Sequence, residues 1–240
     1  MDTFLKIGEV FGWFGAFATV FLGLPQLIKL IREKSVGKVK FVSFWVFYWG
    51  LFAWVLFGTF LPGGLVQVAI SNLLCIYIYS AVIFYLYYYD ENIGKLKNNK
   101  KIILLNVSII IGVFCILSTA MTIYGIIPNT QKIHNSVVQM ILGITIPSFT
   151  CLAFMPQVFY SFKTKNFAGI SAYMVLMFIM NNVFWIIYWV SRLVEQHTYA
   201  FAISLGWQIF SLIIFSVQMI YTIEYYVKLR KTKIKIKSHS

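Results

Sequence analysis

The chain has 240 residues, of which 60% are hydrophobic and 11% are charged, and its mean hydropathy is +0.80. A soluble domain has about 45–50% apolar and about 25% charged residues, so a soluble globule of this length has no place for so many apolar side chains. The net charge of +13 would suit a nucleic-acid-binding protein, but the same apolar content excludes a soluble one, together with a disordered, collagen-like or coiled-coil chain. The composition predicts a polytopic membrane protein.

Seven apolar runs are each long enough to cross a bilayer as a helix, which takes about 20 residues. Helices are predicted rather than barrel strands, because the runs are long and do not alternate apolar with polar residues. In chain order the predicted spans are Glu9–Ile31, Phe41–Leu61, Leu65–Tyr88, Ile102–Tyr124, Ser136–Phe162, Ile170–Val190 and Tyr199–Tyr226.

Lysine and arginine are concentrated in alternate connections. The loops after spans 1, 3 and 5 and the C-terminal tail hold most of them, whereas the other side holds Lys6, Lys132 and Arg192. The positive-inside rule therefore predicts an N-terminus outside and a C-terminus in the cytoplasm. We interpret the positive charge as contact with the anionic cytoplasmic leaflet rather than with nucleic acid, and we expect a multi-pass protein of the plasma membrane.

The two ends of the chain resemble each other when one is shifted by 131 residues. Chance matches are common in apolar sequence, but a Pro-Gln dipeptide and a tryptophan recur at one fixed offset in a chain that has only five prolines. This indicates an internal repeat of three helices. The aligned pairs are Pro25 with Pro156, Gln26 with Gln157, Lys34 with Lys165, Phe47 with Phe178 and Trp54 with Trp185.

The repeat divides the chain into two triple-helix units joined by a linker that contains the fourth span. Because three spans plus one linker span precede the second unit, both units have the same orientation in the membrane. Parallel repeats of this kind are a known transporter architecture, with the binding site between the halves. The predicted divisions are residues 1–90 for the first unit, 91–135 for the linker, 136–226 for the second unit and 227–240 for a basic cytoplasmic tail.

Two copies of a helix ending in Pro-Gln, followed by a basic loop and a Trp-bearing helix, resemble the PQ-loop superfamily. This group includes the SWEET sugar facilitators, the half-size SemiSWEETs and lysosomal amino-acid exporters. Residues 169–171, Gly-Ile-Ser, also resemble the segment that closes the loop of the family, whereas residues 38–40 depart from it. The 3+1+3 layout is similar to that of a SWEET, which implies an all-α integral membrane protein of seven transmembrane helices.

In SWEET-like proteins a tryptophan and an asparagine from each half line the central site, so the resemblance implies such roles for Trp54, Trp185 and Asn72. An indole offers a flat face to a sugar ring, and an amide offers both a donor and an acceptor. The alternatives are an interfacial belt position for each tryptophan and a helix–helix hydrogen bond for the asparagine. The belt interpretation is favoured for Trp13, Trp45 and Trp207.

The second half departs from the family pattern, because Leu205 stands where the repeat predicts an asparagine. Asn181 lies four residues before Trp185, so the two side chains share one face of a helix. We expect Asn181, together with Gln208, to supply the polar contact that the seventh span lacks.

The prolines of the two Pro-Gln pairs are candidates for hinges. Proline lacks an N–H and clashes with the carbonyl one turn earlier, so Pro25 and Pro156 predict kinks at matching depth in the two halves. The hypothesis is that both kinks let a cytoplasmic gate open and close; the alternative is a static bend. Gln26 and Gln157 are expected to bond the carbonyls that the kinks free.

No acidic residue lies in the middle of a predicted span, and proton-driven carriers generally need a buried titratable group. The predicted function is therefore passive, alternating-access transport of a small uncharged polar solute, with a sugar as the first candidate. Two alternatives stay open: transport of an amino acid or vitamin-like solute, possibly proton-coupled, and a non-transporting receptor or scaffold of the same fold.

An enzyme is not predicted, because the sequence lacks a metalloprotease motif, a phosphate-binding glycine loop and paired carboxylates at membrane depth. The cysteines Cys75, Cys115 and Cys151 lack metal-ligand spacing, and no cofactor is expected. Both halves of a pathway lie in one chain, so an oligomer is possible but not required.

Overall fold

The structure is a computed structural model that describes residues 2–36, 39–63, 65–96, 99–127, 130–165, 167 and 172–237. Within these ranges the regular structure is entirely helical. The helices are α1 Asp2–Phe21, α2 Leu24–Glu33, α3 Phe41–Phe60, α4 Val66–Tyr89, α5 Glu91–Lys95, α6 Lys100–Ile126, α7 Ser136–Leu152, α8 Met155–Thr164, α9 Ala172–Glu195 and α10 Tyr199–Lys237.

Six helical stretches in the described part of the chain are long and apolar enough to cross a membrane, which makes this a multi-pass membrane protein. The predicted fifth span, Ser136–Phe162, is divided between α7, which is apolar but has only 17 residues, and α8. The predicted count of seven spans therefore depends on taking α7 and α8 together. The six stretches are Thr3–Glu33, Phe41–Phe60, Val66–Tyr89, Lys100–Ile126, Ala172–Glu195 and Tyr199–Arg230.

The long helices pack as two trios. In the first trio α4 contacts both α1 and α3, and in the second trio α10 contacts both α7 and α9. The trios meet along two seams, where α1 packs against α9 and α3 packs against α7. Helix α6 contacts α3 and α4 and is held there by polar groups, including a hydrogen bond of 2.6 Å between the hydroxyls of Tyr77 and Thr119.

Each Pro-Gln pair lies in the first turn of a short helix that follows a two-residue interruption. Helix α1 ends at Phe21 and α2 begins at Leu24, with Pro25 in the first turn of α2. A proline is well tolerated there, because the first turn leaves its N–H groups without helical partners. Pro156 occupies the matching place in α8. The predicted kinks thus take the form of two-residue interruptions, between α1 and α2 and between α7 and α8.

The short helices α2 and α8 also end alike. Their C-caps, Lys34 and Lys165, have φ values of 49° and 53° and are the non-glycine residues with left-handed backbone in the described ranges. Left-handed residues commonly end helices, although glycine is the usual choice. Both local features thus recur at the offset of 131 residues that the sequence repeat predicts.

The expectation for the first glutamine is not met. Gln26 is buried, but among the described residues its amide makes no hydrogen bond to the carbonyls at the end of α1. The side chain of Gln157 and residues 169–171 lie outside the described part of the chain. Gly23, at the first break, is required by close packing, since a Cβ there would lie 2.7 Å from the ring of Tyr79.

Candidate functional site

A cavity with a volume of about 60 Å³ lies between the two trios. All five residues predicted to bind solute line this cavity. Six helices and the two-residue break after α1 contribute to the wall, and none of its side chains carries a formal charge. The lining residues are Thr19, Leu22, Phe47, Leu51, Trp54, Val68, Asn72, Pro147, Thr150, Cys151, Phe178, Asn181, Asn182, Trp185, Trp189, Trp207, Gln208 and Ser211.

Trp185 and Asn181 are neighbours on α9, as their spacing of four residues predicts. The indole Nε1 of Trp185 donates to the Oδ1 of Asn181 at 3.1 Å and to the Oγ1 of Thr19 at 2.9 Å. Thr19, on α1, in turn donates to the same Oδ1 at 2.7 Å. These three buried side chains therefore tie α9 of the second trio to α1 of the first.

Trp54 has a matching partner on the opposite seam. Its Nε1 donates to the Oγ1 of Thr150, on α7, at 3.1 Å. Thr19 and Thr150 are themselves separated by 131 residues, and each lies six residues before a Pro-Gln pair. Each half thus provides a threonine that accepts a hydrogen bond from the tryptophan of the other half. This threonine pair was not predicted from the sequence, although its two members occupy aligned positions of the repeat.

Trp189 is a third buried indole at the site, and the sequence analysis did not select it. Its ring stacks on that of Trp54 at a centroid distance of 6.2 Å and on that of Trp185 at 6.0 Å. Its counterpart in the first half is Gly58, so this ring has no symmetric mate. Trp207 also lines the cavity, which contradicts its assignment to the interfacial belt, whereas Trp13 is about half exposed as a belt residue would be.

The amides of the cavity are only partly used by the protein. Asn72 donates from Nδ2 to the carbonyl of Val68 at 2.8 Å, within its own helix α4. Asn182 donates from Nδ2 to the carbonyl of Phe178 at 2.7 Å and to the hydroxyl of Ser211 at 3.1 Å. The acceptor oxygens of both asparagines make no hydrogen bond within the described ranges and can therefore receive one from a solute.

Aromatic side chains pack against one another toward both ends of the cavity. At the end that carries the helix breaks, Phe154 packs against Phe47 and Phe178 with ring centroids 5.3 Å and 5.9 Å away. At the opposite end, Trp189 packs against Phe57 and Phe201 with ring centroids 6.2 Å and 5.6 Å away.

A polar cluster lies beyond the second aromatic layer, at the end of the bundle opposite the breaks. Arg192, on α9, donates to Glu9, on α1, and also to Glu195 of its own helix at 2.7 Å. The second carboxylate oxygen of Glu9 accepts from Nε2 of Gln67, on α4, at 2.5 Å. The cluster therefore joins both trios, and it joins them along the α1–α9 seam.

Comparison with known proteins agrees with this architecture. A family model described as the PQ loop repeat matches residues 7–62 and 138–197, two regions that begin 131 residues apart. No curated protein matches the chain in sequence. Among solved structures, the fold is similar to that of a protein described as a eukaryotic SWEET transporter, with a TM-score of 0.56 and 12% identity over 90% of this chain and 97% of the other.

These findings define the class of the protein as a multi-pass membrane protein built from PQ-loop repeats. More particularly, it is a PQ-loop protein with a SWEET-like fold, which confirms the resemblance seen in the sequence. The seven-span count, the orientation of the termini and the bounds of the two units remain predictions.

Proposed function

We propose that the protein is a membrane transporter that carries a small uncharged polar solute, with a sugar as the first candidate, by alternating access. The observation that carries this proposal is the uncharged cavity between the two trios, lined by Trp54 and Trp185 and flanked by aromatic layers toward both ends. Rocking of one trio against the other would open one layer at a time, as in transporters built from repeats.

The proposed topology has seven spans, with α1–α2 and α7–α8 each crossing the membrane as one broken span. The N-terminus is then outside and the C-terminus in the cytoplasm of a plasma-membrane protein, because the basic loops follow spans 1, 3 and 5. In this orientation the helix breaks belong to the cytoplasmic side and the cluster around Arg192 to the outside.

The hinge role of Pro25 and Pro156 is part of the same proposal. Each break separates a helix that lines the cavity from a short basic helix, α2 or α8, and such breaks can absorb changes in backbone angles during gate motion. The paired left-handed caps at the ends of α2 and α8 support equivalent movement of the two halves.

The mechanism proposed is facilitated diffusion without a cofactor. No acidic side chain lines the cavity, and charged solutes would find no counter-ion there. Solute hydroxyls would instead exchange hydrogen bonds with Asn72, Asn181 and Gln208, while the indole rings cover the apolar faces of the solute.

The test is uptake of a panel of labelled solutes, neutral sugars and amino acids among them, by liposomes that contain the purified protein. We expect saturable uptake of a neutral sugar, lost in Trp54→Ala and in Trp185→Ala. Trp13→Ala is the matched control, because this indole is about half exposed and does not line the cavity. Uptake of an amino acid alone, or strong stimulation by a pH gradient, would favour the rival transporters, and impermeability to every solute would favour a receptor or scaffold.

A further inference from the structure

The cavity has a symmetric frame but an asymmetric set of polar groups. Three pairs of lining residues lie at equivalent places of the two halves and have the same residue type. The remaining polar lining residues have no polar counterpart at the cavity. The symmetric pairs are Thr19 with Thr150, Phe47 with Phe178 and Trp54 with Trp185.

Asn182 and Leu51 show the asymmetry most directly. They are separated by 131 residues, they occupy equivalent turns of α9 and α3, and both line the cavity. One wall therefore presents an amide where the other presents an isobutyl group. Val68 also lines the cavity from the first trio, and both Leu51 and Val68 are almost fully buried.

The free hydrogen-bonding capacity lies mostly on the side of the second trio. Asn181 uses its oxygen for Thr19 and Trp185, so its Nδ2 can still donate. Asn182 uses its Nδ2 within the protein, so its Oδ1 can still accept. Gln208 makes no hydrogen bond among the described residues and offers both.

The wall of the first trio offers far fewer free hydrogen-bonding groups to a solute. Its cavity-lining amide, Asn72, has given its Nδ2 to the carbonyl of Val68 and keeps one acceptor oxygen. Two other lining residues of this trio, Leu51 and Val68, offer neither donor nor acceptor. A solute hydroxyl that faced them would lose its water partners without replacement, and such desolvation is unfavourable.

We propose that the solute is a neutral hydroxylated ring with one apolar edge, of which a 6-deoxyhexose is the nearest simple sugar, and that Leu51 and Asn182 fix its orientation. The hydroxyl-bearing edge faces α9 and α10, and the deoxy edge faces Leu51. This inference rests on the proposed function and narrows its substrate class.

The experiment compares sugars that differ in one hydroxyl: D-galactose with 6-deoxy-D-galactose, and D-glucose with 6-deoxy-D-glucose. Binding of each to the purified wild-type protein is measured by calorimetry, and uptake is measured in liposomes. We expect the 6-deoxy member of a pair to bind about tenfold more tightly, because the extra hydroxyl meets only apolar groups. This comparison needs no substitution and so does not depend on the folding of a variant.

Two variants at one position then test the cause. Leu51→Asn gives the extra hydroxyl a partner, so we expect the preference to shrink to about threefold or less. Leu51→Ala enlarges the same space without adding a polar group, and we expect it to keep the preference. Asn182→Leu should weaken binding of all four sugars.

The outcomes separate the inference from the proposed function. Equal binding of both members of each pair by the wild type, or an equal loss of preference in Leu51→Asn and Leu51→Ala, would overturn the inference while leaving sugar transport in place. Failure of all four sugars to bind or enter, in a protein that is folded by size-exclusion chromatography, would overturn the inference and count against sugar as the substrate in the proposed function.

Discussion

The ion pair between Glu9 and Arg192 crosses the seam between α1 and α9, so this end of the bundle cannot open without breaking it. Glu9→Gln removes the charge while keeping the shape of the side chain. The neutral amide can still accept one hydrogen bond from Arg192, and Gln67 can rotate its own amide to match. The substitution therefore tests the charge of the pair rather than its packing.

The expected magnitude follows from the burial of the two partners. The side chain of Arg192 is only 11% exposed, whereas that of Glu9 is 42% exposed. An exposed pair contributes at most about 1 kcal/mol, and breaking a fully buried pair costs about 3–5 kcal/mol. Arg192 also keeps Glu195 as a partner. We therefore expect a loss of about 1–1.5 kcal/mol, which corresponds to an approximately tenfold larger population of the state that is open at this end.

Cys151 provides a reporter for this opening, because it lines the cavity and is buried in the closed arrangement. With Cys75 and Cys115 replaced by serine, a membrane-impermeant methanethiosulfonate reagent is added outside the proteoliposomes and the rate of labelling is followed. We expect Glu9→Gln to be labelled about tenfold faster than the parent protein.

Glu195→Gln is the matched control, because Glu195 binds the same arginine but belongs to the same helix, α9. Its removal should leave the seam closed and the labelling rate within about twofold of the parent. If Glu9→Gln is labelled no faster than the parent, or if both variants are labelled equally fast, the ion pair does not hold this end closed and the reasoning is refuted.

Three further outcomes are expected. Thr150→Val should lower the melting temperature in detergent more than Thr19→Val. The first substitution leaves the indole N–H of Trp54 without a partner, at a cost of about 1–3 kcal/mol, whereas that of Trp185 keeps Asn181 as its acceptor. Equal shifts would contradict this. Pro25→Ala and Pro156→Ala should favour a continuous helix across each break and so slow the exchange of bound solute. The affinity for the solute should stay within about twofold of that of the parent protein. Unchanged exchange in both variants would remove the hinge role. Lys132→Met should lower the melting temperature by a few degrees. The ammonium group donates to the carbonyl of Thr59 at the end of α3, and this hydrogen bond stabilises the fold by about 1 kcal/mol. An unchanged melting temperature would show that water replaces the ammonium group.

The features that the sequence predicted well are those that recur at a fixed offset. The two breaks before Pro25 and Pro156 form at equivalent places because each proline lacks an N–H and its ring clashes with the carbonyl one turn earlier. The neighbouring positions of Asn181 and Trp185 follow from helical periodicity alone. The resemblance to a SWEET added the expectation that Trp54 lies at the same cavity, and the structure brings it there.

The remaining features were hidden because the spans are apolar on nearly every side. A helix that is hydrophobic all round gives no amphipathic signal, so the face that a given indole presents cannot be derived from its spacing. Trp189 and Trp207 were overlooked or misassigned for this reason. The pairing of Glu9 with Arg192 was equally invisible, because the two residues are distant in sequence and each looked like an ordinary charge at the end of a span.

The asymmetry of the molecule is possible because both repeats lie in one chain. In a dimer of identical half-size chains, every residue at the cavity appears twice, so an amide cannot face an apolar group at the equivalent place. A single chain is free of this constraint, and here Asn182 has Leu51 as its counterpart, while Trp189 has Gly58. The Glu9–Arg192 pair likewise closes one seam, and its equivalents on the other are Met140 and Leu61. The two seams therefore differ in how they are held, and we expect the α1–α9 seam to set the barrier to opening at this end.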